Sequence, residues 1–427
     1  MIFFKKYKPK SEFGFNFLTL LTGSGISQLI VLGASPILTR LFTPGDFGIS
    51  ALFISITSIL LILGTGRYEM AIVQTKEEVD GLSLTIGTIA ISFCFFLFSE
   101  LILILFSDYS KLNELNVKLD GFLYLVPIYV FIVSFYKTLS NYLNRNKLYK
   151  IISINQVGQS FSQSSTKMFL GFKAITANGL IIGTVIGQAL ALVLLFFQFL
   201  KVKFEKGIYK LSIKRIKFNF KRFINFPKFM LLSDGINVVA LQLPFLLTSY
   251  LFSIEQLGFL ALAYSMSSRP LSFLADSLSR VFRQQAAFDY NENGRCDILF
   301  LKILKKLSLY LIIPFVFIFC TAPYLFKIVF GEEWYEAGLM VRVIIIMFYF
   351  RFLARILGYM YVLTEHQKEN LYIQVILITG ALTSFGVGYF VFNDLYASLM
   401  IYSFMYSFIY ICMIFKSYIY AKGEKIK

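Results

Sequence analysis

One histidine, one tryptophan and four cysteines serve all 427 residues, and acids are scarce, 24 against 41 Lys and Arg. His366 stands alone in a short connection with no metal-ligand spacing around it. Cys94, Cys320 and Cys412 fall in apolar runs and Cys296 in a basic stretch, so no disulfide framework follows and the thiols read as small apolar side chains. The spacings GxxxxGK[ST], HExxH and GxSxG are missing, which removes the phosphate-cradling loop, the helical zinc pair and the nucleophile elbow. No cofactor or metal is implied, and no catalytic machinery is visible. Polar stretches long enough for a separate soluble domain are missing as well.

What fills the chain is apolar: 57% of residues are hydrophobic and the mean hydropathy is +0.70. The apolar residues form blocks of roughly 20, enough to cross a hydrocarbon core of about 30 Å as a helix. They predict helices near 17–38, 47–66, 82–106, 121–144, 151–170, 177–200, 226–251, 257–278, 307–325, 338–362, 371–391 and 395–415. The first is read as a spanning helix and not a removable signal, because no small-residue cleavage site follows Lys5, Lys6, Lys8 and Lys10.

A net charge of +17 suggests a polyanion such as nucleic acid until its placement is counted. With the N-terminus inside, the inner connections and tails hold 29 Lys and Arg, the outer connections 5 and the spans 7. That asymmetry is the positive-inside rule, so the surplus reports topology and contact with anionic lipids, with N-terminus, linker and C-terminus cytoplasmic. No nucleic-acid partner is needed.

The longest connection, Lys201 to Arg222, carries nine basic residues and one acid, Glu205. It separates an N-terminal six-helix bundle, 1–200, from a C-terminal one, 223–427, with 201–222 as a basic linker. The stretch Leu41 to Leu52, LFTPGDFGISAL, has a counterpart 210 positions on, Leu251 to Leu262, LFSIEQLGFLAL, sharing Leu, Phe, Gly, Ala and Leu. Both copies sit at the outer turn between the first two helices of their half. A six-helix repeat has parallel topology. The expected fold is therefore all-α, about twelve transmembrane helices in two six-helix bundles related by a pseudo-twofold axis along the membrane normal, enclosing a central cationic cavity.

Polar residues inside the spans point to that cavity. The fifth helix carries Asn155, Gln156, Gln159, Ser160, Ser162, Gln163, Ser164, Thr166 and Lys167 over about half its circumference. Such an arc reads as the wall of a water-filled lumen, with hydrogen-bonded helix packing as the alternative. On the eighth helix Ser265, Arg269, Ser272, Asp276, Arg280 and Arg283 follow one stripe. Lys137 and Asn141 on the fourth and Arg351 and Arg355 on the tenth share helix faces likewise, and Asn237 on the seventh joins the polar lumen. Each Lys or Arg at the bilayer midplane costs about 2.5–3.5 kcal/mol, so these side chains should point inward, while Lys228 and Arg342 near span ends can snorkel or pair.

The spans hold three acids, Glu100, Asp234 and Asp276, against seven bases, so at least four positive charges await an anion. Phosphate or pyrophosphate suits Arg forks and Lys point charges. Glu100, Asp234 and Asp276 are candidates for coupling to H+ or Na+, with pairing to a base as the plainer alternative. Gly179, Gly183 and Gly187 form a GxxxGxxxG run read as a close-packing face.

The segments LTRLFTPGDFG from Leu38 to Gly48, GRYEMA from Gly66 to Ala71, and Asp234-Gly235-Ile236-Asn237 with Gln242-Leu243-Pro244 resemble Wzx-type oligosaccharide flippases. These are polysaccharide-transport members of the multidrug/oligosaccharidyl-lipid/polysaccharide (MOP) exporter superfamily. The resemblance spans the chain in helix count, with its motifs mainly in 38–71 and 226–282. It implies a bacterial inner-membrane flippase that turns an undecaprenyl-pyrophosphate-linked oligosaccharide from the inner to the outer leaflet by alternating access, for O-antigen or capsule assembly. A polysaccharide polymerase and chain-length proteins are the implied protein partners. One departure is Ala263-Tyr264-Ser265-Met266, where the pattern places an Arg after the Tyr; Arg269 is the stand-in. An antiporter of small metabolites or drugs, a polymerase or ligase, and a scaffold for glycan-assembly enzymes are the competing functions. Cationic drugs favour an acidic cavity, and polymerases usually carry a large outer loop, whereas the outer loops here are short.

Overall fold

The structure, a computed structural model, describes residues 12–107, 109–173, 177–205 and 212–423. The N-terminal lysines, residues 206–211 of the basic linker and Lys425 and Lys427 lie outside the described residues.

Every regular element among the described residues is helical, and twelve helices are long: α1 (Glu12–Leu41), α2 (Pro44–Thr65), α3 (Glu78–Leu105), α4 (Leu125–Arg145), α5 (Tyr149–Phe172), α6 (Ala177–Glu205), α7 (Leu231–Leu251), α8 (Ile254–Asn293), α9 (Asp297–Phe330), α10 (Tyr335–Leu357), α11 (Gln367–Val387) and α12 (Leu395–Ala421). Each expected span is met by one of them. Ten are long and apolar enough to cross a membrane. The other two, α5 and α8, have the length and fall short on apolarity, and they are the helices whose polar stripes stood out in the sequence.

Hydropathy misplaced some ends. α8 runs 40 residues, about 60 Å, roughly twice a hydrocarbon core, and α9 starts at Asp297. The inner loop expected over 279–306 shrinks to a turn at Gly294, left-handed at φ 68°. Part of the expected linker is a short helix, Ile213–Arg222, and an outer connection contains another, Ser110–Lys118. Charged residues hide helix beyond the membrane from a hydropathy reading.

By internal packing the chain divides into two compact units, Met1–Phe42 with Leu52–Val238, and Thr43–Ala51 with Val239–Lys427. The division falls inside α7, beyond the basic linker. In the first unit α5 is sandwiched between α1 and α6. A Cβ on Gly23 would lie 2.6 Å from Ser153, and Cβ atoms on Gly183 and Gly187 would lie 2.9 and 2.5 Å from the Cα atoms of Lys167 and Gln163. The glycine run of α6 is thus a close-packing face.

The second unit is built around α10, which packs on α8, α9 and α12. Trp334 is 1% exposed, its ring edge-on to Phe47 and Phe259. The start of α2 belongs here because it crosses the start of α8 at two glycines. A Cβ on Gly48 would lie 1.8 Å from the Ile254 carbonyl oxygen, and one on Gly258 1.8 Å from that of Pro44. Gly48 and Gly258, like Pro44 and Ile254, are equivalent under the 210-residue offset, so the contact is reciprocal. The caps repeat as well: Thr43 and Asp46 bond each other's backbone N–H (2.9 and 3.3 Å), as do Ser253 and Gln256 (3.2 and 3.1 Å).

Candidate functional site

Several charged side chains of the spanning region gather in one cluster per unit. In the first, Gly66 and Arg67 both adopt left-handed conformations, φ 56° and 62°, in the turn between α2 and the short helix Tyr68–Ala71. A non-glycine residue held there costs about 1–2 kcal/mol. The turn brings the Arg67 guanidinium between two carboxylates, with Nη1 3.3 Å from Glu69 and Nη2 2.8 Å from Asp234 on α7. Glu69 is only 3% exposed, and its Oε2 and the Arg67 Nε find no partner. Lys137 on α4 is exposed and within electrostatic reach of both.

Two bases therefore face two acids. Asp234 takes the plainer alternative of pairing with a base, and Lys137 stands near Glu69 without an ion pair among the described residues. Arg67 and Glu69 were missed as site residues because hydropathy places them in a connection, although GRYEMA was a visible motif. Asn141, one turn from Lys137, is half-buried, and Asn237 is exposed on α7. Glu100, near the far end of α3, makes no ion pair among the described residues and joins neither cluster.

The polar arc of α5 is spent largely on its neighbours. Asn155 donates to Gln198, Gln159 and Gln163 both donate to Gln188, and Ser162 donates to the Gly187 carbonyl, all on α6. On the other side Ser153 donates to the Thr19 carbonyl and Ser24 to Gln156. Asn155, Gln159 and Gln163, expected as lumen wall, are instead interhelical hydrogen-bond partners. Lys167 packs its stem against Gly183. The exposed positions of α5 include Ile154, Phe161 and Phe169.

The second cluster joins α8 to α10. Arg355 converges on one oxygen of Asp276, Nη2 at 2.8 Å and Nε at 3.1 Å from Oδ1, and its Nη1 reaches the Ser272 hydroxyl at 3.3 Å. One turn away, Arg351 donates to the Tyr264 hydroxyl and lies 5.8 and 5.6 Å over the Tyr264 and Phe348 rings. The guanidinium that the family pattern places beside this tyrosine comes from α10. Arg269 forms no ion pair among the described residues. Arg283 donates to Ser279 at 3.1 Å and covers the Tyr359 ring, with Arg280 on the exposed side of the same helix. The stretch from Tyr264 to Arg283, with Arg351 and Arg355, holds five arginines and one acid, Asp276, which pairs with Arg355. A pocket of about 20 Å³ between Arg351, Arg355, Ser268 and Ser272 has room for a single water.

Arg342, counted among the span bases, serves the backbone. Pro323 has no N–H to offer the Phe319 carbonyl, and Arg342 Nε donates to that oxygen at 3.0 Å while Nη2 donates to Cys320 O at 2.9 Å. No group of three or more His, Cys, Asp or Glu that could hold a metal occurs among the described residues.

Solved structures with this fold include the lipid II flippase MurJ in an inward closed conformation, TM-score 0.72 at 13% identity, covering 95% of this chain and 90% of that one. An inward-facing multidrug resistance MATE family transporter of the MOP superfamily gives TM-score 0.69 at 11% identity, over 91% and 93%. The fold is thus the one these two solved structures share: all-α, about twelve spanning helices, two bundles. The model of the family described as polysaccharide biosynthesis protein matches residues 37–338, and the chain belongs to that family. No curated protein matches the sequence.

Proposed function

We propose that the protein is a flippase of the bacterial inner membrane that moves undecaprenyl-pyrophosphate-linked oligosaccharide units to the outer leaflet for O-antigen or capsule assembly. The observation that carries this reading is the arginine surplus between Tyr264 and Arg283 of α8 and at Arg351 and Arg355 of α10, five to one acid, in a chain of the polysaccharide biosynthesis family. Pyrophosphate supplies the missing negative charge, and guanidinium forks bind it bidentately. Asp276 now fills the fork of Arg355, so the arriving pyrophosphate displaces one carboxylate and gains Arg351, Arg269 and the Ser268 and Ser272 hydroxyls beside it. Cationic drugs are disfavoured by the same surplus. H+ or Na+ coupling then falls to the Arg67–Glu69–Asp234 cluster, where an acid and a base already compete.

The test is leaflet-selective labelling of lipid-linked oligosaccharide after depletion of the protein. Inner-leaflet intermediates should accumulate and be cleared by the wild-type chain, more weakly by Arg269→Lys, and least by Arg269→Ala at equal expression. Normal arrival at the outer leaflet without polymerisation would replace the flippase reading with a polymerase or scaffold role.

A further inference from the structure

A groove of about 540 Å³ runs along α3 in the first unit, over Gly87, Ala90, Cys94 and Phe98 at helical spacing, with Leu63 of α2 on its flank. Gly87 to Phe98 spans about 16 Å. One end is roofed by Ile216 and Phe220 of the helix Ile213–Arg222. That roof is fixed in place. Arg215 pairs with Asp80 at 2.6 Å and with Glu77, Asn219 donates to Asp80 (3.1 Å) and Ser83 (2.9 Å), and the Tyr68 hydroxyl donates to the Phe220 carbonyl at 3.2 Å. A Cβ on Gly87 would come within 2.4 Å of the Phe220 ring, so the seat is shaped for this helix.

The roof helix differs in chemistry from the floor. Lys217 and Lys221, each the next residue after a roof side chain, are exposed together with Lys214, and none of the three forms an ion pair among the described residues. The helix contains no acid to neutralise them. An apolar channel with a cationic mouth fits an amphiphile that has a long chain and an anionic head.

We propose that this groove is a binding site for an anionic glycerophospholipid, its acyl chain along α3 and its phosphate at Lys217 and Lys221. The site is separate from the arginine cluster, and its test does not depend on transport. Purified protein in neutral detergent is titrated with phosphatidylglycerol or phosphatidylcholine of matched chains and the retained lipid is counted by native mass spectrometry. Wild type should prefer phosphatidylglycerol by roughly tenfold. Lys217→Gln/Lys221→Gln should lose that preference, and Cys94→Trp should lose the lipid itself at an unchanged melting temperature. The double lysine variant alters exposed residues only, so it decides the matter even where Cys94→Trp fails to fold. Equal retention of both lipids, a preference that survives the lysine changes, or displacement of phosphatidylglycerol by equimolar undecaprenyl phosphate would overturn the proposal.

Discussion

At the scale of single residues, the position of Arg67 is bought with a left-handed backbone and repaid by two carboxylates. Its removal leaves Glu69, 3% exposed, as a buried charge without its ion-pair partner, with Lys137 the remaining base nearby. Stripping one partner from such a pair costs roughly 3–5 kcal/mol. Arg67→Ala should therefore lower the thermal stability of the purified protein sharply, and Arg67→Ala/Glu69→Gln should recover most of the loss. A double variant as unstable as the single one would show that Arg67 acts through something other than charge. The sequence displayed Lys137 and Asp234 because both interrupt apolar runs, but their partner lies in a connection, and no periodicity reports a left-handed turn. Arg342, read from its place near a span end as able to snorkel or pair, shows what such a residue does. Charge counting leaves its partner open, and the partner is a carbonyl freed by Pro323.

At the scale of elements, helix existence was legible and helix function less so. Blocks of membrane length located all twelve long helices, ten of them apolar enough to cross, because lipid requires every backbone group to be paired within the segment. The polar arc of α5 was equally visible, but composition alone does not separate a water-lined wall from amides bonded to a neighbour. Gln188 and Gln198 on α6 supply the answer, and neither stands out in an apolar helix. The repeat between Leu41–Leu52 and Leu251–Leu262 carried more than it showed, since its paired glycines meet each other's helix and its caps recur at the same offset. Gly48→Ala and Gly258→Ala should each destabilise by about 1–3 kcal/mol, as overpacking does, and by similar amounts. Gly386→Ala, with nothing within 4 Å of the added carbon, is the tolerated control. Melting curves in detergent measure all three. A clear loss at one crossing glycine and none at the other would sink the reciprocal contact.

At the scale of the whole molecule, charge is distributed unevenly between the units, balanced around Arg67 and in surplus around Arg351 and Arg355. Asp276 is the pivot of that surplus, since its carboxylate occupies the Arg355 fork that a pyrophosphate would take under the proposed function. A half-exposed ion pair is worth at most about 1 kcal/mol, so the substrate displaces it at little cost. Asp276→Asn should then bind undecaprenyl pyrophosphate about fivefold more tightly, because the competitor is gone. The same change should slow turnover, because the carboxylate that retakes Arg355 and expels the product has also gone. Binding by the purified variant and clearance of inner-leaflet intermediates read the two effects separately. Tighter binding with slower clearance makes Asp276 a release device; unchanged binding places the pyrophosphate elsewhere, with Arg355 and Asp276 serving only to hold α8 against α10.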